Sequence, residues 1–358
     1  MKRPIEQNEK FLRNIYVKGP YQGHGFVCTP PQLGCVDHPD YDYTLSDKPV
    51  QNWVPQMVEN YTRQVRYRET LDDDAVPVAR QSTGTHIYAA AFGCPVHRYP
   101  DSNPSARPRV QTGVEADRLE QPDIWCTPTL YRTFEMGHAL RAELGKDVCL
   151  GVPDMQTGFD TAALVWEKES FLQALADTQE KEAVKHLVSK CAILLKQFLL
   201  EFRKEFPNSS PCHCPDVWAP PELGPWVSND ECGVMSTPMF LEFCLPEMID
   251  LSQTFGSLGM HCCASAEHQF LSFREIPNFY GFNRVVALKG YQPILDLLGG
   301  QQAPVHVLTG VPPEETERLI QVAPSGTRFI FNLAGATLDD AKQWLDRMRQ
   351  VSPREDFN

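Results

Sequence analysis

From Ala75 onward, short apolar runs alternate with longer stretches in which apolar residues recur every three or four positions. Runs of four to eight apolar residues bounded by turn formers read as buried strands, and the three-to-four-residue period reads as a helix with one packed face. On this pattern strands are expected at Ala75–Ala79, Ile87–Ala91, Val148–Val152, Val227–Met235, Gly259–Cys263, Arg284–Leu288, Val305–Leu308 and Arg328–Asn332. The clearest helix runs from Glu180 to Lys204, where Val184, Leu187, Val188, Cys191, Leu194, Leu195, Phe198 and Phe202 form one stripe. Phe240–Gln253 and Asp339–Arg349 read the same way, with Thr337 placed to cap the second.

A strand count near eight, alternating with helices, predicts an α/β protein, a (β/α)8 TIM barrel over residues 75–358. No G-x-G-x-x-G follows the first strand, so a dinucleotide-binding sheet lacks its phosphate signal. Residues 1–74 are rich in Pro, Tyr and Asp, carry one helical stretch around Trp53–Arg68 and end on Asp72-Asp73-Asp74. They read as an N-terminal extension packed on the barrel.

Composition narrows the possible partners. The chain of 358 residues is 42% hydrophobic and 22% charged, with a formal net charge of −13. It has no dense Lys/Arg block, so no nucleic-acid or anionic-membrane footprint is expected. No stretch is apolar enough to span a bilayer, and Met1–Lys10 has no apolar signal region, which gives a cytoplasmic expectation. Twelve cysteines are then expected as free thiols or metal ligands, and the sequons at Asn60 and Asn208 as chance matches.

Chemistry concentrates in Gly259-Met260-His261-Cys262-Cys263-Ala264-Ser265. Alternate side chains of a strand share a face, so His261 and Cys263 can point at one ion while Cys262 points away. A barrel places its chemistry at strand C-termini, where this pair falls. The segment Ser228–Cys232 offers a further ligand: Glu231 is the expected one, with Asp230 or Cys232 in its place as alternatives. Asp154 and Asp160, on the Gly151–Asp160 turn after an apolar strand, are candidates for contacting substrate, although Asp160 could equally cap the next helix. Pro211-Cys212-His213-Cys214-Pro215 reads as a proline-rich loop with incidental thiols, because its C-x-C lacks a second pair at zinc-finger distance. No G-x-S-x-G and no Walker motif is present.

With these residues in view, the chain resembles the uroporphyrinogen decarboxylase superfamily over roughly residues 75–350. The marks are Ala91-Phe92-Gly93-Cys94, Leu119–Asp123, the Gly151–Asp160 turn, Ser236–Pro246, Met260–Cys263 and Phe331–Gly335. The resemblance implies a (β/α)8 barrel open at the strand C-termini, and a choice between two chemistries. True decarboxylases carry an Arg-Gln-Ala-Gly-Arg motif and a late His. Here Arg80-Gln81-Ser82-Thr83-Gly84 lacks the second Arg and Gly335 stands where the His would be. The zinc-dependent methyltransferase branch, which moves a methyl group between a corrinoid and a small substrate or thiol, is matched at His261 and Cys263. What the resemblance implies is therefore zinc on His261 and Cys263, a methylcorrinoid delivered by a partner protein, and a small-molecule substrate met by Asp154, Asp160, Arg80 and Asn332. Members of that branch take a third ligand from a late cysteine, and this chain has none after Cys263. The alternatives are a cofactor-free decarboxylase and a non-catalytic barrel that binds a small ligand.

Overall fold

A computed structural model describes residues 3–31, 50–81, 83–99, 104–285 and 288–355. Ser82 and residues 286 and 287, which fell within the expected arginine motif and sixth strand, lie outside the described residues. The strands in chain order are β1 (Gly25–Thr29), β2 (Val96–His97), β3 (Ser105–Ala106), β4 (Trp226–Ser228), β5 (Leu258–Cys262), β6 (Phe279–Arg284), β7 (Val305–Thr309) and β8 (Phe329–Ala334). β2 and β3 form a small antiparallel ribbon, while the others make one parallel sheet in the order β1-β8-β7-β6-β5-β4.

Short extended stretches close the ring between β1 and β4. Backbone bonds join Phe26 to Asp74, Ala79 to Cys149 and Gly151, Leu150 to Ser210, and Pro211 to Trp226. This side of the ladder is thin for a chemical reason: Pro77, Pro153, Pro211 and Pro215 have no N–H to donate. The result is a (β/α)8-type barrel, as the alternation predicted.

The barrel begins earlier than the apolar pattern implied. β1 lies inside the expected extension and pairs with β8 from Gly25↔Ile330 to Thr29↔Ala334. Its other edge is held by the acidic cluster, since the amides of Phe26 and Cys28 donate to the Asp74 and Asp73 carboxylates at 2.7 and 2.8 Å. Arg349 and Arg354 balance the buried Asp74 at 2.5 and 2.8 Å. Helix α1 (Ile5–Tyr16) packs Phe11, Leu12, Ile15 and Tyr16 into one cluster with Val27, Val76, Val78, Val305, Val307 and Ile330. It thus closes the N-terminal end of the barrel and leaves the opposite mouth as the place for a site.

Inside the barrel Trp226 lies over Gly259 and Gly281, where an added Cβ would come within 2.3 and 2.1 Å of the indole. Above this apolar floor, the inward positions toward the strand C-termini are polar: Thr29, Ser228, His261, Asn283, Thr309 and Asn332.

Other elements depart from expectation in instructive ways. Ile87–Ala91 is part of a helix, His86–Ala91, because a short apolar run does not distinguish strand from buried helix and three alanines favour the latter. The strand expected at Val227–Met235 stops at Ser228 and turns into a short 3-10 segment, Glu231–Val234. The strand expected at Arg284–Leu288 sits earlier, ending at Arg284. Phe240–Gln253 is two helices, Thr237–Phe243 and Leu245–Phe255, broken where Pro246 starts the second. The long helix (Lys181–Glu205) and the last one (Leu338–Val351, capped by Thr337) match their patterns closely. Among the described residues, no helix is long and apolar enough to cross a membrane.

Candidate metal centre

At the mouth, β4 and β5 run parallel with Ser228 opposite His261. One carboxylate follows the first strand and one thiol follows the second, so the ligand-bearing atoms of Asp230, His261 and Cys263 fall within 4.8 Å of one another. The His261 Nε2 to Cys263 Sγ distance is 2.8 Å. Asp230 also accepts a short hydrogen bond from the Cys263 backbone amide, tying the two strand ends together.

The orientation of His261 is imposed from β6. Asn283 is wholly buried, and its Nδ2 donates to the Val307 carbonyl at 2.6 Å, which leaves Oδ1 facing the imidazole. His261 Nδ1 therefore donates to that oxygen, at 2.5 Å, and Nε2 presents its lone pair to Cys263. Burial and the neighbouring Asp230 carboxylate push the Cys263 thiol up to about 12. An imidazole lone pair, a thiol and a carboxylate converging on one point are a donor set that suits a divalent cation of the zinc type.

Asp160 positions the carboxylate. It sits in the helix Gly158–Val165, whose cap is Thr157 rather than Asp160 itself. Its buried carboxylate accepts from the amides of Asp230 and Glu231 at 2.6 and 3.1 Å, so it braces the turn instead of meeting substrate. Burial and the nearby Asp230 charge push this carboxyl well above its usual range.

Other expected residues are placed differently. Glu231, the expected third ligand, turns away to pair with Lys168. Cys232 is buried behind the strand ends with its sulfur 3.7 Å from that of Cys262. Asp230 is the member of that segment brought to the pair. Arg80 is not free for a substrate carboxylate: it donates to the carbonyls of Cys212, His213 and Val217 and pairs with Asp216 at 2.9 Å. Asn332 is buried on β8, its amide oxygen accepting from Thr29 at 2.8 Å. Asp154 does face the mouth. Its amide donates to Thr83 Oγ1, its carboxylate accepts from Gln156, both at 2.6 Å, and burial raises its carboxyl above the ordinary range.

The loop read as incidental enters the same space. Cys214 Sγ lies 3.8 Å from His261 Nε2, and His213 Nε2 lies 4.0 Å from Asp154. His213 bridges the Trp226 carbonyl at 2.8 Å and Ser228 Oγ at 3.0 Å, and burial drives its pKa down to about 3, so it stays neutral. Its proximity in sequence to β4 was the available signal. Asn283 was missed because the expected sixth strand began one residue after it.

The chain superposes on a methyltransferase from Methanosarcina mazei with a TM-score of 0.62, over 96% of this chain and 98% of that one, at 14% sequence identity. At that identity the likeness establishes the shared fold. No protein-family model matches the chain, and no curated protein matches it in sequence.

Proposed function

We propose that this barrel is a zinc-dependent methyltransferase of the uroporphyrinogen decarboxylase superfamily, moving a methyl group between a corrinoid and a small thiol or methylated substrate. The observation that carries the reading is the convergence of Asp230, His261 and Cys263 at the strand C-termini. The likeness to a structure that is itself a methyltransferase supports it.

In this reading His261, Cys263 and Asp230 hold zinc. When bound, zinc supplies positive charge that lowers the pKa of a coordinated thiol and makes a thiolate available at neutral pH. The chain does the rest with its own groups. Asn283 fixes the His261 tautomer, and Asp160 sets the turn that presents Asp230. Asp154, held by Gln156 and Thr83, orients a polar substrate group at the mouth. A methylcorrinoid delivered by a partner protein is the donor that the resemblance to the zinc-dependent methyltransferase branch implies. A cofactor-free decarboxylase fits less well, because Arg80 is consumed by the Cys212–Val217 loop.

The test is methyl transfer from free methylcobalamin to a simple thiol by zinc-loaded protein, followed by loss of the methylcobalamin spectrum. Transfer in wild type, reduced about a hundred-fold or more in Cys263→Ser, is the expected result. A wild-type rate no higher than that of Cys263→Ser would overturn the assignment.

A further inference from the structure

Cys214 stands outside the group of Asp230, His261 and Cys263, yet its sulfur and that of Cys263 both approach His261 Nε2, at 3.8 and 2.8 Å. That nitrogen has one lone pair, because Nδ1 carries the proton that bonds to Asn283. One lone pair accepts one hydrogen bond well, so the second sulfur has no role there as a mere donor. A cation between the three atoms gives each of them a partner.

The two distances to the imidazole are close to what such a cation needs, while Cys214 stands outside the 4.8 Å group of Asp230, His261 and Cys263, so binding draws its loop inward. Tetrahedral zinc, with bonds of about 2.0 Å to imidazole and 2.3 Å to thiolate, sets its nitrogen and sulfur ligands about 3.6 Å apart. Cys214 already stands within a few tenths of an ångström of that separation, whereas Cys263 has to withdraw by less than one ångström to reach it. The loop is also built to hold the thiol in place. Arg80 clamps the carbonyls of Cys212, His213 and Val217, Asp216 anchors Arg80, and His213 is fixed to β4 through Trp226 and Ser228.

We infer that Cys214 is a second thiolate ligand of the metal, supplied before β4 in place of the cysteine that the chain lacks after Cys263. The inference rests on the zinc reading above and extends it: the metal is held at rest by His261, Cys263, Cys214 and Asp230, a two-sulfur set drawn from three separate segments, and the hard carboxylate gives way when a substrate thiol coordinates. Such a set favours zinc over the harder divalent ions, and sulfur makes the site sensitive to thiol-blocking reagents.

Zinc K-edge X-ray absorption on the full chain decides it. Wild type is expected to show two sulfur scatterers at about 2.3 Å, and Cys214→Ser one, with zinc affinity lowered about a hundred-fold. Cys126→Ser, at an exposed thiol far from the mouth in sequence and on a separate helix turn, is expected to leave spectrum and affinity unchanged. One sulfur in zinc-loaded wild type, or undiminished affinity in Cys214→Ser, would overturn the inference while leaving a zinc site intact. Wild type that binds no zinc would overturn this inference together with the reading beneath it. The sulfur count in wild type distinguishes one thiolate from two even where Cys214→Ser folds poorly.

Discussion

At the scale of single residues, the candidate centre depends on groups outside the triad of Asp230, His261 and Cys263. Asn283 decides which imidazole nitrogen is free, and Asp160 decides where Asp230 stands. Replacing Asn283 by Ala removes the acceptor for Nδ1–H and frees the ring to turn. Zinc affinity, measured by competition with a chelator, is expected to fall about 10- to 100-fold, the usual cost of losing such a partner. An unchanged affinity would show that the ring is held by packing alone. The His-x-Cys pair was legible in the sequence because strand alternation is a local rule. The third ligand candidate, a carboxylate, was legible only as a choice among neighbours. Asp230, Glu231 and Cys232 occupy one turn, and which of them faces the mouth depends on Asp160, distant in the chain, and on Lys168, which draws Glu231 away.

At the scale of elements, the strands that carry the ligands are spaced by what lies beneath them. Gly259 and Gly281 leave the room that Trp226 fills, so Gly281→Ala forces the indole or β6 to move. Overpacking of this kind costs about 1–3 kcal/mol, to be read as a lowered midpoint in denaturant, and a variant as stable as wild type would contradict the packing account. β7 carries a different liability. His306 is fully buried, donates from Nε2 to the Leu298 carbonyl at 2.8 Å and has no partner for Nδ1 among the described residues. Burial lowers its pKa from 6.5 to about 4. A depressed folded-state pKa means that the stability held by the neutral ring is complete above pH 6.5, is lost progressively as pH falls from 6.5, and levels off below about 4. The stability gap between wild type and His306→Gln is therefore expected to narrow by about 3 kcal/mol on going from pH 7 to pH 4. A gap independent of pH would refute the assignment. Long periodic helices were readable from the chain because their stripe spans many turns. The proline-rich Cys212–Val217 loop was not, since Arg80 and β4 fix its course from outside.

At the scale of the whole molecule, one buried carboxylate joins both ends of the chain. Asp74 holds the Phe26 amide of β1 and receives Arg349 and Arg354 from the C-terminal segment, so the acidic run that looked like the end of an extension locks the barrel shut. Asp74→Ala removes the carboxylate that faces both guanidinium groups and accepts from the Phe26 amide of β1. A loss of about 3–5 kcal/mol is expected from chemical denaturation, and a loss below about 1 kcal/mol would mean that water replaces the carboxylate. The barrel itself was foreseeable from the strand-helix alternation, but its first strand was hidden: five residues among prolines and tyrosines do not announce a partner as distant in the chain as β8. Closure of the ring brings β4, β5 and β6 into register at the mouth, and the meeting of Asp230, His261 and Cys263 is a consequence of that register. The most direct test is the metal content of protein purified without chelator and offered zinc. The account predicts about one equivalent of tightly held zinc in wild type and its loss in His261→Ala. Less than about a tenth of an equivalent in wild type, unchanged by His261→Ala, would contradict it.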